Sequence, residues 1–128
     1  MKKTKKSKPK AKKPKKHVPQ HIYDEIFGTN YWVSYGISYS RWREAVQRTL
    51  GYKLPPNERI GGTCKHFESE NGSEVIWIWT KRRKVYWLAH ECFHAVHFAL
   101  ENKVPLTLES SETYAYLIEF LMERILKK

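Results

Sequence analysis

The sequence predicts an α+β domain in which a small antiparallel or mixed sheet packs against helices. Three observations support this prediction: an alternating segment at residues 30–36, two apolar segments on either side of Asn71 and Gly72, and two C-terminal stretches with helical spacing of their apolar residues. Along the chain the predicted order is strand, helix, hairpin, helix, helix. An order of this kind is typical of α+β proteins.

The first strand and the first helix have recognisable sequence signals. The segment NYWVSYG, residues 30–36, alternates its side chains with the period of a strand. The segment SRWREAVQRTLG then changes to a helical period, with Ser40 as the predicted N-cap and Gly51 as the glycine that ends the helix. Pro55 and Pro56 follow and prevent the helix from continuing.

A hairpin is predicted around Asn71-Gly72, because this dipeptide tolerates the positive φ angles of a tight turn. Its strands are residues 63–68 and EVIWIWT at 74–80, and the second is so apolar that we expect it to be central or covered on both faces. A helix follows from about residue 85 to about residue 102 and is broken at Pro105. A final, well-buried helix begins near Ser110 or Ser111 and continues to the C-terminus.

The positive charge is concentrated at the N-terminus. Ten lysines and no acid lie in residues 1–16, which leaves about +1 of the formal net charge of +11 for the rest of the chain. Lysine, proline, serine and alanine without large apolar residues cannot offset the entropy of ordering. We therefore expect residues 1–20 to be a disordered basic tail and residues 21–128 to form a single metal-binding domain.

Two interpretations of the tail stay open. It resembles basic arms that are attracted to phosphates, and it is equally consistent with a solubilising or targeting extension. If it contacts nucleic acid through its lysines, the first of them Lys2 and the last Lys16, binding should be non-specific and strongly salt-dependent. The turn KRRK, residues 81–84, likewise either favours acidic substrates or phosphates or is a solvated turn.

The cysteines and the apolar segments indicate the compartment. Cys64 and Cys92 form neither a C-x-x-C pair nor a disulfide framework. We expect free thiols in a reducing cytosol, with a single structural disulfide as the alternative. The sequence shows no secretory signal pattern and no run of about 18 apolar residues, so we expect no membrane span and a cytoplasmic location.

The segment LAHECFHAVHFALE contains an H-E-x-x-H pattern with the spacing of a metal site. His90 and His94 share one helix face with Cβ atoms about 5–6 Å apart, which suits two zinc–nitrogen bonds of about 2.0–2.1 Å. Glu91 can reach a water at the metal and take its proton as the water attacks a carbonyl. The alternative is a pair of buried histidines satisfied by hydrogen bonds, which we disfavour because burying them beside a glutamate is unfavourable.

A hydrolytic zinc site needs three protein ligands and an open fourth position. His97 lies on the same face but about 10 Å along the helix axis from His90, so we expect it to line a pocket or to pack as an ordinary histidine. No histidine follows His97, so the third ligand is a carboxylate or an upstream residue. Glu112 opens an apolar helix that can fold back beside the metal helix, so we expect it to be the ligand and Glu109 to be a cap or solvent residue.

The H-E-x-x-H pattern followed by a helix that opens on a glutamate resembles the gluzincin pattern of zinc metallopeptidases. More narrowly, LAHECFHAVHFALE…SSETYAYLIEFL is similar to small, mostly phage-encoded zincin-like proteins. The resemblance implies a minimal zincin-like fold with one Zn²⁺ per chain. It implies His90, His94 and Glu112 as the ligands and Glu91 as the base.

Tyr116 departs from the pattern of the larger gluzincins, in which a carboxylate four residues after the ligand glutamate orients a histidine. A phenol at this position can still form a hydrogen bond that supports the site. Tyr116 or Tyr114 can alternatively stabilise an oxyanion. A plain core role for both tyrosines also stays open.

The resemblance predicts a zinc-dependent metallopeptidase that acts on protein or peptide in the cytoplasm, which is the host cell's if the chain is phage-encoded. The alternative is a non-catalytic zinc-binding protein that associates with nucleic acid through its basic tail. Glu91 favours the enzyme, because a structural zinc site has no use for a base beside an open coordination position. Neither hypothesis involves a membrane.

Overall fold

The computed structural model describes residues 16–56, 61–68 and 71–127. The strands are β1 (Gln20–Asp24), β2 (Thr29–Tyr35), β3 (Gly62–Glu68) and β4 (Glu74–Thr80). The helices are α1 (Tyr39–Leu50), α2 (Val85–Leu100) and α3 (Ser111–Leu126). The strands lie in the order β1-β2-β4-β3, with β2 and β4 parallel and both outer pairs antiparallel. The predicted α+β class with a mixed sheet is confirmed.

β4 is a central strand whose side chains alternate between two hydrophobic clusters. Ile76 and Ile78 pack in a cluster with α2 and α3, whereas Trp77 and Trp79 pack in one with α1. All four side chains are at most 2% exposed, which confirms that this strand is covered on both faces. Trp42 of α1 stacks on Trp79, with ring centroids 5.4 Å apart and an interplanar angle of 11°. The sheet therefore lies between α1 on one face and α2 with α3 on the other.

β3 and β4 form the predicted hairpin, but the connection between them is longer than a tight turn. Glu68 pairs with Glu74, so residues 69–73 connect the strands. Gly72 has a φ of 84°, and the Asn71 side chain accepts a hydrogen bond from the Ser73 N–H at 3.1 Å. The Asn-Gly dipeptide thus lies in the connection between the two strands, as predicted.

β1 was not predicted from the sequence. Gln20, which the sequence assigns to the disordered tail, pairs with Val33 of β2. Before it, the His17 ring nitrogen Nε2 lies 2.7 Å from the Ser34 hydroxyl. A strand of five residues, in which Ile22 is the one buried apolar side chain, has too short an alternation to be recognised. The folded domain therefore begins before residue 21, and residues 1–15 of the predicted tail lie outside the described residues.

The ends of α1 follow local signals, with one correction. Ser38 rather than Ser40 is the N-cap, and its hydroxyl accepts a hydrogen bond from the Arg41 N–H at 3.2 Å. The helix begins earlier than predicted because Tyr39 is buried in the cluster beneath α1. Gly51 ends the helix as predicted, in the left-handed conformation with a φ of 75°.

α2 and α3 pack against each other on the face of the sheet opposite α1. α2 ends at Leu100, close to the predicted residue 102, and α3 begins at Ser111 as predicted. The prediction that α3 is well buried is wrong for most of its surface, since Tyr116, for example, is 67% exposed. One face of α3 is buried, and it consists of Tyr114, Leu117, Leu121 and Ile125. Among the described residues, no helix combines the length and apolarity that crossing a membrane requires.

Candidate metal centre

The middle of α2 carries the H-E-x-x-H residues beside β3, the outer strand of the sheet. The rotation of α2 about its axis is set by fully buried side chains on its inner face, namely Leu88, Cys92, Ala95 and Val96. This rotation leaves the rings of His90 and His94 exposed and turns Glu91 inward. The helix therefore exposes two imidazoles that an ion could reach and buries the Glu91 carboxyl.

His90 and His94 turn the same ring nitrogen towards each other. Their Nε2 atoms are 3.2 Å apart, and their ring centroids are 4.8 Å apart at an interplanar angle of 72°. Two nitrogens bonded tetrahedrally to one ion at about 2.0–2.1 Å would lie about 3.3–3.4 Å apart. The pair is therefore close to the spacing of two ligands of a single metal ion, and the same distance also suits a hydrogen bond between the two rings.

Glu91 is a buried acid, only 5% exposed. Its Oε1 lies 3.8 Å from Nε2 of His90, whereas Oε2 is buried and has no hydrogen-bond partner among the described residues. Burial raises the pKa of the Glu91 carboxyl, and the charge of a protonated His90 opposes that rise. A buried carboxylate with an unpartnered oxygen is unfavourable unless a cation is near, so Glu91 fits a site that receives a positive ion.

The ligand atoms of His90, Glu91 and His94 all lie within 4.8 Å of one another, and this group could hold a metal ion. Imidazole and carboxylate are donors that zinc accepts. Glu112 is not part of this group of described residues. It lies in the first turn of α3, as predicted, but its side chain is exposed. The structure thus brings together two predicted ligands and the predicted base, and Glu112 stays a prediction.

Among the described residues, His97 lies outside the His90–Glu91–His94 group. Its ring stacks on Phe93, with centroids 6.3 Å apart and an interplanar angle of 20°. Its Nδ1 lies 4.0 Å from the Glu101 carboxylate one turn further along α2. These contacts are those of a surface histidine near the end of the helix.

The two tyrosines of α3 have different surroundings. Tyr114 is buried and donates its hydroxyl hydrogen to the Val104 carbonyl at 2.7 Å, which ties α3 to the loop that follows α2. Its ring centroid lies 6.4 Å from that of His97. Tyr116 is exposed and lines a cleft with Ile26 of the β1–β2 turn. Tyr114 is therefore a core tyrosine that positions the start of α3.

Two glycines that border the centre were not identified from the sequence. A Cβ atom on Gly62 would lie 2.9 Å from the Trp79 carbonyl oxygen and 3.4 Å from Cγ of Glu91. A Cβ atom on Gly61 would lie 2.9 Å from the ring of Trp87. The pair allows β3 to approach α2 where Glu91 turns inward. The Gly-Gly dipeptide itself is the signal in the sequence, but its purpose depends on the position of α2.

Cys64 and Cys92 are free thiols, as predicted. Burial raises the pKa of Cys92 to about 12 and that of Cys64 well above its usual value, and the charge of Glu91 raises both further. A thiol binds metal as the thiolate, so neither cysteine is prepared to act as a ligand at neutral pH. Both instead pack as small apolar side chains behind the centre.

Comparison with protein-family models, with curated proteins and with solved structures finds no match to this chain. The case for a metal centre is therefore local. It consists of the distance between two imidazole nitrogens and the burial of the acid beside them.

Proposed function

We propose that this protein is a zinc-dependent metallopeptidase that holds one Zn²⁺ on His90 and His94, with Glu112 as the third ligand. The observation that carries the proposal is the pair of facing Nε2 atoms, 3.2 Å apart, beside the buried Glu91 carboxylate with its unpartnered oxygen. Structural zinc sites are closed by four protein ligands and need no acid of this kind. The arrangement instead resembles a hydrolytic centre with a base.

When bound, zinc would lower the pKa of a water molecule and polarise the carbonyl that the water attacks. Glu91 is the group that accepts the proton, because its Oε1 lies within 3.8 Å of the His90 Nε2 that would face the ion. Burial fixes this carboxylate and raises its pKa towards neutrality. A base with a raised pKa can also return the proton to the leaving amine, which peptide hydrolysis requires.

Glu112 is proposed as the third ligand from its place on α3. The start of α3 lies near the C-terminal half of α2, as the contact between the Tyr114 and His97 rings shows. The side chain of Glu112 is exposed, so a change of rotamer is the step by which it would complete the coordination shell. Glu109 is an exposed carboxylate three residues earlier in the chain, so it serves as the matched comparison.

A peptide is the proposed substrate because an open strand edge lies beside the centre. In the described sheet only β4 pairs with β3, so the outer edge of β3 is available for main-chain hydrogen bonds. Gly62 at the start of β3 lies against Glu91. An extended peptide that adds to this edge would therefore run past the candidate metal centre.

Metal analysis of the purified full chain tests this proposal first, and one equivalent of zinc is expected. His90→Ala and Glu112→Ala should release the metal, whereas Glu109→Ala should retain it. Glu91→Gln should retain zinc and abolish hydrolysis of casein or a peptide library, because it removes the base and leaves the ligands. A protein without zinc, or hydrolysis that survives Glu91→Gln, would refute the proposal.

A second candidate is a non-catalytic zinc-binding protein that associates with nucleic acid. The turn before α2 favours it, because Lys81, Arg82 and Arg83 are exposed and no carboxylate of the described residues forms an ion pair with them. Free cations attract phosphates without regard to sequence. Zinc retention without hydrolysis, together with a salt-sensitive electrophoretic shift of DNA or RNA, would favour this candidate. A shift that persists after deletion of residues 1–16 would assign the binding to this turn, and a shift that is lost would assign it to the tail.

A further inference from the structure

We infer that the cavity beside Glu91 is a specificity pocket for a large apolar or aromatic side chain of the substrate, with Tyr86 and Trp87 as its specificity-determining residues. The part of the inference that concerns cleavage rests on the proposed peptidase function. The binding preference of the pocket can nevertheless be measured without any hydrolysis.

The cavity lies at the N-terminal end of the metal helix and has a volume of about 440 Å³. This is within the range of about 300–1,000 Å³ that is usual for small-molecule sites. Its lining residues are Gly61, Gly62, Tyr86, Trp87, His90 and Glu91. A group bound here would therefore lie directly beside the candidate base and the first candidate ligand.

Two aromatic rings form one wall of the cavity. Tyr86 is 64% exposed, and its ring meets that of Trp87 edge-on, with centroids 6.4 Å apart at 86°. The Lys84 ammonium lies 5.6 Å from the centroid of each ring, which holds both rings at the mouth of the cavity by cation–π attraction. Binding of an apolar ligand would remove these exposed rings from water, which is favourable.

The adjoining wall is main chain, because Gly61 and Gly62 have no side chains. A Cβ atom on Gly61 would lie 2.9 Å from Cζ3 of Trp87 and 3.1 Å from Cη2, so the indole lies against the strand at this glycine. Neither Gly61 nor Gly62 has a positive φ, so their backbone conformation does not require glycine. Glycine is required at residue 61 because a Cβ atom there would clash with the indole. A side chain at residue 61 would therefore displace Trp87 and change the shape of the cavity.

The chemistry of the lining determines which side chains it should prefer. Its lining combines two aromatic rings and glycine main chain with the side chains of His90 and Glu91. Phenylalanine, tyrosine and leucine should therefore bind better than alanine, by about tenfold to a hundredfold for a fully buried side chain.

A titration followed by NMR tests the pocket without catalysis. The full chain is titrated with N-acetyl-phenylalaninamide and, as the matched control, N-acetyl-alaninamide. The indole N–H signal of Trp87 should shift with the first compound only, whereas that of Trp32, which lines a cavity on the other side of the sheet, should not move. The inference would be overturned if the Trp87 signal does not shift with either amide, or shifts equally with both.

Two variants and a cleavage assay complete the test. Tyr86→Ala, at an exposed position that should tolerate the change, and Gly61→Ala should each weaken binding of the phenylalanine amide by about five- to tenfold. In a peptide library, both should also lose the aromatic preference while zinc content stays unchanged. Binding by a protein that cleaves nothing would support the pocket and refute the enzyme. Cleavage without any side-chain preference would refute the pocket and support the enzyme.

Discussion

Replacing Glu91 with glutamine should stabilise the metal-free protein at neutral pH. The carboxyl is 5% exposed, and its Oε2 has no hydrogen-bond partner among the described residues. Leaving a buried polar atom unpaired costs about 1–3 kcal/mol, and more when the group is charged. Glutamine has the same shape and still leaves a polar atom unpaired, but it removes the charge, so the free energy of unfolding should rise by about 1 kcal/mol or more. A domain of this size should then melt about 4 °C higher for each kcal/mol.

The sign of the pH dependence follows from the direction of the pKa shift. Burial raises the pKa of Glu91 in the folded state above that in the unfolded chain, so the folded protein holds the proton more tightly. The contribution of Glu91 to the stability of the wild-type protein is therefore fully present below the unfolded pKa, at about pH 4, and is lost as the pH rises through the folded pKa. Glutamine does not titrate, so the advantage of the variant should be small at about pH 4 and should grow as the pH rises through the folded pKa of Glu91.

Urea unfolding in the presence of a chelator, at intervals from about pH 4 to pH 8, measures this difference. Glu101→Gln on the same helix is the matched control, because its side chain is 43% exposed and its change should stay within about 0.5 kcal/mol. Added zinc should reduce or reverse the advantage of Glu91→Gln, since the cation offsets the buried charge. A variant that is no more stable than the wild type at pH 8, or whose advantage does not vary with pH, would refute this reasoning.

Three further substitutions test the centre and the fold. His94→Ala removes a proposed ligand, so it should weaken zinc binding by more than the loss of a group that only hydrogen-bonds to a ligand, which costs about 10–100-fold. His97→Ala should leave zinc binding nearly unchanged. Isothermal titration calorimetry measures both affinities. Ser38→Ala should lower the free energy of unfolding by about 1 kcal/mol, because it removes the N-cap of α1. Ser40→Ala should lower it by less than about 0.5 kcal/mol, and equal effects of the two variants would contradict the observed cap. Trp42→Ala should lower it by about 3–5 kcal/mol, because the ring is fully buried against Trp79, and a smaller loss in the same urea assay would contradict that packing.

The features that could be predicted from the sequence are those that depend on residues close together in the chain. Gly51 marks the end of α1 because a left-handed residue there needs only its own local geometry. His90 and His94 share a face because helix geometry alone places residues four apart on one side. β1 could not be predicted in this way, because Gln20 is held by pairing with Val33, a residue of another strand. The N-cap was assigned to Ser40 because both serines carry the same local signal, and only the burial of Tyr39 selects Ser38.

For this protein, the sequence by itself determined which residues can bind a metal and how far apart on a helix they lie. The tertiary structure alone decided their surroundings, because burial depends on side chains that are distant in the chain. The packing of α2 on the sheet buries Glu91 and leaves His90 exposed. The same packing brings Gly61 against Trp87 and so creates the cavity beside the base, which no local pattern in the sequence indicates.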